Sequence, residues 1–312
     1  MDWCHEAVLI ARSGACPSSF WHDATAPLLS RPYWMNLVHV GANKGYSVLD
    51  QLARYKPSSW PAMPTPQEWH AELRRGAERR GQPIEFPCGY CDACHTRSSI
   101  QIPNPPTALR AFALDIHRPN VNLLSHQLAS FNLSHAVRPL HLAGSNATGV
   151  VYTTDGAAGK ETNSAKYGAD RHGRDRKART IEVSATSLDD FVYSHGIDRI
   201  NLLHIDAEGF DALVLEGAKT LLKARLIDLI EFEYHMLGKW SLYAHDVRHL
   251  KRMLIWLDLF GYSCFWQGAK AVARASGPWW CNKMEFREHS NLVCSHLPGV
   301  LEVLRRLADD GK

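Results

Sequence analysis

The sequence predicts an α/β fold built on a mostly parallel sheet with helices on both faces, and three stretches carry that expectation. In residues 200–217, INLLHIDAEGFDALVLEG, the apolar run Ile200, Leu202, Leu203, Ile205 suits a strand buried on both faces. It stops at Asp206-Ala207-Glu208-Gly209, and Phe210, Leu213, Val214, Gly217, Ala218, Leu221 and Leu222 then recur at helical spacing. In residues 36–49, NLVHVGANKGYSVL, a second apolar strand enters the turn Gly41-Ala42-Asn43-Lys44-Gly45 and leaves as a helix. In residues 109–115, LRAFALD, a third strand ends on an acid. Strand, turn and helix in succession build parallel sheets, which bind ligands beyond the carboxyl ends of their strands.

The 312 residues suffice for one such domain with an insertion. Residues 1–35 carry Pro17, Pro27 and Pro32 among scattered aromatics without a period, which suggests an extended arm on a domain occupying 36–312. The glycines of the first turn let backbone approach a ligand closely, and the following helix start offers unpaired N–H groups. Gly41 and Gly45 enclose three residues, unlike the G-x-G-x-x-G of dinucleotide sites, which argues against NAD.

Residues 56–108 read as an insertion. Pro57, Pro61, Pro64 and Pro66 mark a loop, and 68–80 a polar helix broken near Gly76. Cys88, Cys91 and Cys94 then fall at two-residue intervals with His95 adjacent, the knuckle spacing by which thiolates close on zinc. His95, His117, Cys4, Cys16 or another distant residue would complete the set. The alternative is one disulfide and a free thiol, as expected of a secreted chain. Either way the knuckle reads as a local staple rather than a catalytic centre, because a closed thiolate site keeps no open position.

The fold resumes at 109–115, where Asp115 stands where nucleotide-binding α/β folds hold the ribose hydroxyls. A helix over 119–131 and a strand over 136–143 follow. Residues 153–180 hold four glycines and, from Arg171 to Arg179, six basic residues counting His172: a lid for an anionic substrate, or a solvated loop. A strand over 226–234 carries Glu231 and Glu233 on one face, with His235 just beyond. A helix over 246–260, strands over 262–265 and 291–294, and a helix over 298–307 close the chain. Trp279 and Trp280 either line a sugar pocket or cover the sheet.

Two motifs carry a resemblance. VHVGANKGYS resembles the V-D-V-G-A-N-x-G turn of FkbM-type methyltransferases, and INLLHIDAEGFDALVLEGA resembles their second signature, K-I-D-V-E-G-x-E-x-x-V-L-x-G-A. The likeness covers roughly 36–56 and 108–235, in the family's order. It implies a Rossmann-like class I methyltransferase fold with a seven-stranded sheet, S-adenosylmethionine as cofactor, and O-methylation of a sugar, glycan or related natural product. Asp115 then matches the glutamate of the family's F-E-P, Asn146 replaces the aspartate of its adenine-contacting S-D, and Ser187-Leu188-Asp189-Asp190 matches its S-L-D-D. The implied cofactor contacts are His39, Gly41, Asn43, Gly45, Asp115, Asn146 and Asp206. For catalysis the candidates are Asp206 as base, Glu208 orienting it or sharing a divalent cation with it, and His235 as a competing base. Two departures stand out: His39 replaces an acid and His204 a lysine, as ordinary strand residues or as part of the chemistry.

Rival classes are a binding protein that keeps the fold without turnover, motivated by His39 and Asn146, and a nucleic-acid surface made of the knuckle and the basic loop. A formal charge of +3 gives little support to the second, and no nucleic acid is expected. No apolar run is long enough to span a bilayer, and the start lacks a basic region followed by an apolar one. A cytoplasmic location goes with the zinc reading, and the Golgi lumen, after loss of an anchor, with the alternative. Asn132-Leu133-Ser134 and Asn146-Ala147-Thr148 are glycosylation sequons, the second in conflict with an adenine contact.

Overall fold

Each apolar run becomes a strand that ends in a turn. The computed structural model describes residues 3–16, 20–29, 33–81, 84–85, 87–89, 91–97, 99–154, 158, 180–235, 240 and 249–310. Its strands are β1 (Trp34–Val40), β2 (Ala108–Asp115), β3 (Val137–His141), β4 (Ala143–Gly144), β5 (Gly149–Thr154), β6 (Thr180–Thr186), β7 (Ile200–Ile205), β8 (Ile227–Tyr234), β9 (Ser263–Gln267), β10 (Val272–Arg274) and β11 (Ser290–Ser295). Its α-helices are α1 (Trp3–Arg12), α2 (Phe20–Leu29), α3 (Tyr46–Tyr55), α4 (Pro66–Arg80), α5 (Arg118–Ser130), α6 (Leu188–Ser194), α7 (Asp211–Glu216), α8 (Lys219–Lys223), α9 (Leu250–Leu259) and α10 (Pro298–Asp310).

The main sheet has the order β10-β9-β11-β8-β7-β1-β2-β3. From β3 to β8 every neighbour is parallel, β11 runs antiparallel between β8 and β9, and β10 pairs antiparallel with β9. The expected seven strands are therefore eight among the described residues. The addition is β10, whose three residues are too few to show a period. A separate three-stranded sheet, β4-β6-β5, lies beside the main one. The chain runs outward from β1 to β2 and β3, then returns to β7 on the other flank of β1. That reversal opens a crevice beyond the carboxyl ends of β1 and β7.

Alternation along the central strands sorts the core into two layers. Val38, Val40, Leu203 and Ile205 pack on one face with α1 and α6 to α9, and Met35, Leu37 and Leu202 on the other with α2, α3, α5 and α10. The described part of residues 1–35 is thus mainly helical rather than an extended arm. Cys4, Ala7, Val8 and Ala11 bury one stripe of α1 at helical spacing, and α2 buries Trp21, whose Nε1 donates to Gln267 Oε1 at 3.0 Å. Nor does Gly76 break α4: the helix starts at a Thr65/Glu68 capping box and runs through it. Gly76 serves packing instead, since a Cβ there would come within 2.7 Å of the His126 ring on α5.

The cysteines correct the zinc expectation. All eight are paired: Cys4–Cys281, Cys16–Cys91, Cys88–Cys94 and Cys264–Cys294. The knuckle thiols are consumed by two disulfides, so Cys88, Cys91 and Cys94 are not available as thiolates, and the alternative of one disulfide with a free thiol fails as well. His95 is exposed, and the imidazole beside this cluster is His70, grouped with Cys88 and Cys94 within 4.8 Å. Those three could serve a metal only after reduction. Sequence spacing showed three close cysteines but not the fourth, Cys16, 75 residues from its partner.

Non-reducing peptide mapping should recover the four pairs, with no thiol titrating in denaturant. Replacing Cys16 and Cys91 together by serine should cost about 2–4 kcal/mol in urea unfolding. Free knuckle thiols with one zinc per chain would restore the original reading.

Candidate active site

The turn after β1 is shaped by its glycines and by a buried acid. Gly41 (φ 87°) and Gly45 (φ 79°) take left-handed conformations that side chains rarely adopt, and Asn43 (φ 46°) joins them. Gly41 N and Ala42 N donate to the Leu114 carbonyl at 2.9 and 3.2 Å, and Asp206 N donates to the Val40 carbonyl at 2.9 Å. A Cβ on residue 41 would lie 1.8 Å from the Asp206 carbonyl oxygen. Asp115, at the end of β2 and 6% exposed, accepts from Asn43 N at 2.8 Å and His117 N at 2.7 Å, and more loosely from Asn120 Nδ2 at 3.3 Å to both oxygens. Burial pushes the Asp115 carboxyl up to about 6; the two backbone donors and Asn120 oppose the rise, and the Asp206 charge adds to it.

Above the turn lies a cavity of about 830 Å³, within the usual range of small-molecule sites. Of the sequence-predicted residues, Gly41, Asn43, Gly45, Asp115, Asp206 and Glu208 line it. His39, Asn146 and His235 are not part of its lining. His39 is fully buried within β1. Asn146 is exposed, and its amide donates to Glu216 on α7 at 3.4 Å; Leu142, Ala143 and Gly144 form that edge of the cavity instead. The sequon at Asn146 therefore does not compete with the cavity. His235 is buried just past β8, with its ring centroid 4.5 Å from that of His289, which does reach the cavity.

Acids gather where β7 and β8 end. Glu208 takes a left-handed conformation (φ 52°) at the tip of the turn between β7 and α7. Burial, then the charges of Asp206, Glu233 and Asp211, push its carboxyl up to about 9, with His289 pulling the other way. Asp211 is fully buried, accepts from Gly209 N at 3.2 Å and Ala207 N at 3.4 Å, and is raised well above the usual carboxyl range by burial and by Glu233 and Asp206. Glu233 accepts from His289 Nδ1 at 2.9 Å. Asp206 is the exposed member of the group, at the cavity itself.

The two histidine departures turn out to be neighbours. His39 pairs in register with His204, and their rings lie 5.4 Å apart. His204 Nδ1 donates to Glu231 Oε2 at 3.0 Å, and Gln267 Nε2 donates to Glu231 Oε1 at 2.9 Å. Burial opposes charge on both partners, yet their mutual attraction outweighs it, raising His204 and lowering Glu231. His39 is lowered well below the ordinary histidine value, first by burial and then by the neighbouring His204. It is neutral at physiological pH.

Sequence reasoning missed two contributors. His289 had no motif and enters the site only because β11 pairs with β8. The insertion was read as a local staple outside the catalytic centre, but Cys88, Gly89, Cys91 and Arg97 form part of the cavity wall, joined by Ala15 and Cys16 of the N-terminal segment. Trp279 packs edge-on against Trp3 and under the Arg274 guanidinium, and Trp280 packs against the core, so both cover the sheet rather than line the cavity. The basic run 171–179 lies outside the described residues.

Solved structures similar to this chain include methyltransferase FkbM from Methylobacillus flagellatus KT, at 11% identity and TM-score 0.38, matching 87% of this chain and 50% of that one. They also include a possible exported protein from Bordetella parapertussis, at 11% identity and TM-score 0.29, matching 82% of this chain and 79% of that one. The chain thus spans about half the length of the first. No curated protein matches the sequence. The family model described as the methyltransferase FkbM domain matches residues 39–264, from the strand that enters the glycine turn to the strand that bears Cys264. That match takes in well over half of the 312 residues and both signature turns, and the chain belongs to the FkbM methyltransferase domain family.

Proposed function

We propose that this chain is an S-adenosylmethionine-dependent methyltransferase that methylates a hydroxyl of a sugar, glycan or related natural product. The observation that carries the reading is the cavity at the β1/β7 switch point, walled by the left-handed glycine turn on one side and by Asp206 and Glu208 on the other. The residues fit the cofactor. Asp115 stands at the end of β2, and its two Asn120 contacts, at 3.3 Å, are the long ones that ribose hydroxyls would replace without disturbing the Asn43 and His117 bonds. The apolar edge of Leu142 and Ala143 offers a surface for an adenine ring, in place of Asn146.

S-adenosylmethionine supplies an electrophilic methyl group when bound. The chain must hold an acceptor oxygen about 3 Å from that carbon and take up the hydroxyl proton. Asp206 suits that task as the exposed carboxylate at the cavity. Glu208, held protonated at neutral pH by burial and then by its acidic neighbours, would orient the acceptor by hydrogen bonding rather than act as base. A divalent cation at Asp206 is compatible with the crowding of acids around it. His235 lies behind His289 and would act only through it.

The four disulfides favour an oxidising compartment over the cytoplasmic location expected with zinc.

Two measurements test the cofactor and base assignments. Asp115 is raised from 3.8 to about 6, so between these values the folded chain holds a proton that the unfolded chain has released. Its contribution to stability is complete below about 3.8 and is lost as pH rises through about 6. Ligand binding runs oppositely, because ribose hydroxyls donate to the ionised form. Calorimetric affinity for S-adenosylhomocysteine should fall about tenfold per unit below that pH, and Asp115→Asn should weaken it at pH 7.5 by about 1–3 kcal/mol. Affinity that is flat from pH 7 to 5 would remove the ribose role.

For the base, Asp206→Asn should keep the fold and bind S-adenosylhomocysteine, yet lose about 100-fold or more in methyl transfer to a panel of glycan acceptors. Wild-type turnover in that variant, with His289→Ala or His235→Ala inactive, would move the base to the imidazole pair.

A further inference from the structure

The end of β8 and the start of β11 bring two imidazoles and a carboxylate together on one face of the sheet. The antiparallel register sets Ser290 opposite Tyr234 and Asn291 opposite Glu233. One step further, His289 stands across from His235, and alternation puts both on the Glu233 side. One ligand atom from each of Glu233, His235 and His289 lies within 4.8 Å of the other two. His289 Nδ1 is 2.9 Å from Glu233 Oε1, and His235 Nε2 is 3.6 Å from Glu233 Oε2. Bonds of about 2.0–2.2 Å separate the ligands of a tetrahedral zinc-type ion by roughly 3–3.5 Å, so small side-chain rotations close this set around one ion. Two nitrogens and one carboxylate select a borderline transition metal over magnesium, which prefers an all-oxygen shell.

We propose that Glu233, His235 and His289 form a binding site for a divalent transition-metal ion of the zinc type. Glu233 and His289 also line the cavity, which puts the ion in its wall, on the side of Asp206 and Glu208. Three protein ligands leave a position for an exogenous oxygen. The use of the ion rests on the methyltransferase reading: an acceptor hydroxyl bound to it releases its proton to Asp206 at lower pH than a free hydroxyl would. Metal binding itself does not depend on that reading. The site is separate from the group of His70 with Cys88 and Cys94, whose sulfurs are joined to each other.

The test is zinc titration by calorimetry of the disulfide-intact full chain after chelator treatment, with metal analysis for stoichiometry. One zinc ion per chain is expected. Glu233→Gln and His289→Ala should each weaken it by more than about 100-fold, the upper scale for outer-shell partners alone, while His70→Ala leaves it unchanged. Should either site variant fail to fold, cobalt substitution of the wild-type chain decides: ligand-field bands without thiolate charge transfer support the site. No zinc uptake by the wild type, uptake unaltered by His289→Ala, or a thiolate charge-transfer band would each overturn it. S-adenosylhomocysteine titration in parallel separates the two readings. Zinc uptake without nucleoside binding sinks the methyltransferase assignment alone, and nucleoside binding without zinc uptake sinks the metal site alone.

Discussion

Everything at the crevice depends on how closely the end of β1 passes the end of β7. Residue 41 runs so near the Asp206 carbonyl that only a glycine hydrogen fits, and Asp206 N bonds back to Val40 across the same seam. A larger residue at 41 would part the two strands before it met any ligand. The turn beyond is then fixed from the other side by the buried Asp115, which converts the backbone N–H of Asn43 into an anchor. Glycine turn, acid at the end of β2 and acids at the end of β7 are thus one mechanical unit. Asp115 is a structural tether, and only the lone pairs it has left are open to a ligand.

The second constraint is charge inside a sheet buried on both faces. The resemblance sets an acid at 39 and a lysine at 204, and the register sets those positions side by side. Here both are histidines, and the carboxylate that partners His204 is Glu231, one strand over and in register with it. The two histidines are therefore coupled: with His39 neutral, His204 and Glu231 form a single buried ion pair, oriented further by Gln267 and Trp21. Leaving one member unpaired at this depth would be strongly destabilising.

Most of the sheet was legible in the sequence, because strands buried on both faces and amphipathic helices write their periods directly into residues 36–55, 108–131 and 200–235. The site was legible where it sits on those strand ends: Gly41, Asn43, Gly45, Asp115, Asp206 and Glu208 all line the cavity. Elsewhere, local pattern could not supply the missing distance. Asn146 followed the motif in order, yet the chain turns its amide outward to Glu216. His289 has no local signal, since its place follows from the β8/β11 register, a pairing of segments more than fifty residues apart. The short β10 had too few residues to show a period, and the helices α1 and α2 were lost among prolines and aromatics whose burial depends on partners near the other end of the chain.

Cysteine spacing misled for a similar reason, and its correction changes what the insertion does. Three thiols within seven residues suggest a closed local site, but Cys91 reaches out to Cys16 and leaves Cys88 and Cys94 to each other. The segment after α1 crosses the strand ends, where Asn291 Nδ2 donates to the Gly14 carbonyl and Ser290 Oγ to the Ala11 carbonyl, before it arrives at that bond. The Cys4–Cys281 bridge fixes the other end of the same helix. The insertion is thereby stitched over the cavity, so that Cys16, Cys88 and Cys91 stand in its wall. The sulfur bonds act together with apolar burial, since the insertion also sinks Trp69, Leu73 and Ile102 into the core and Tyr46 Oη donates to the Pro87 carbonyl at 3.0 Å. The crevice at the switch point is thus built by the strand ends, and the wall above it by two chain segments that the Cys16–Cys91 bond joins.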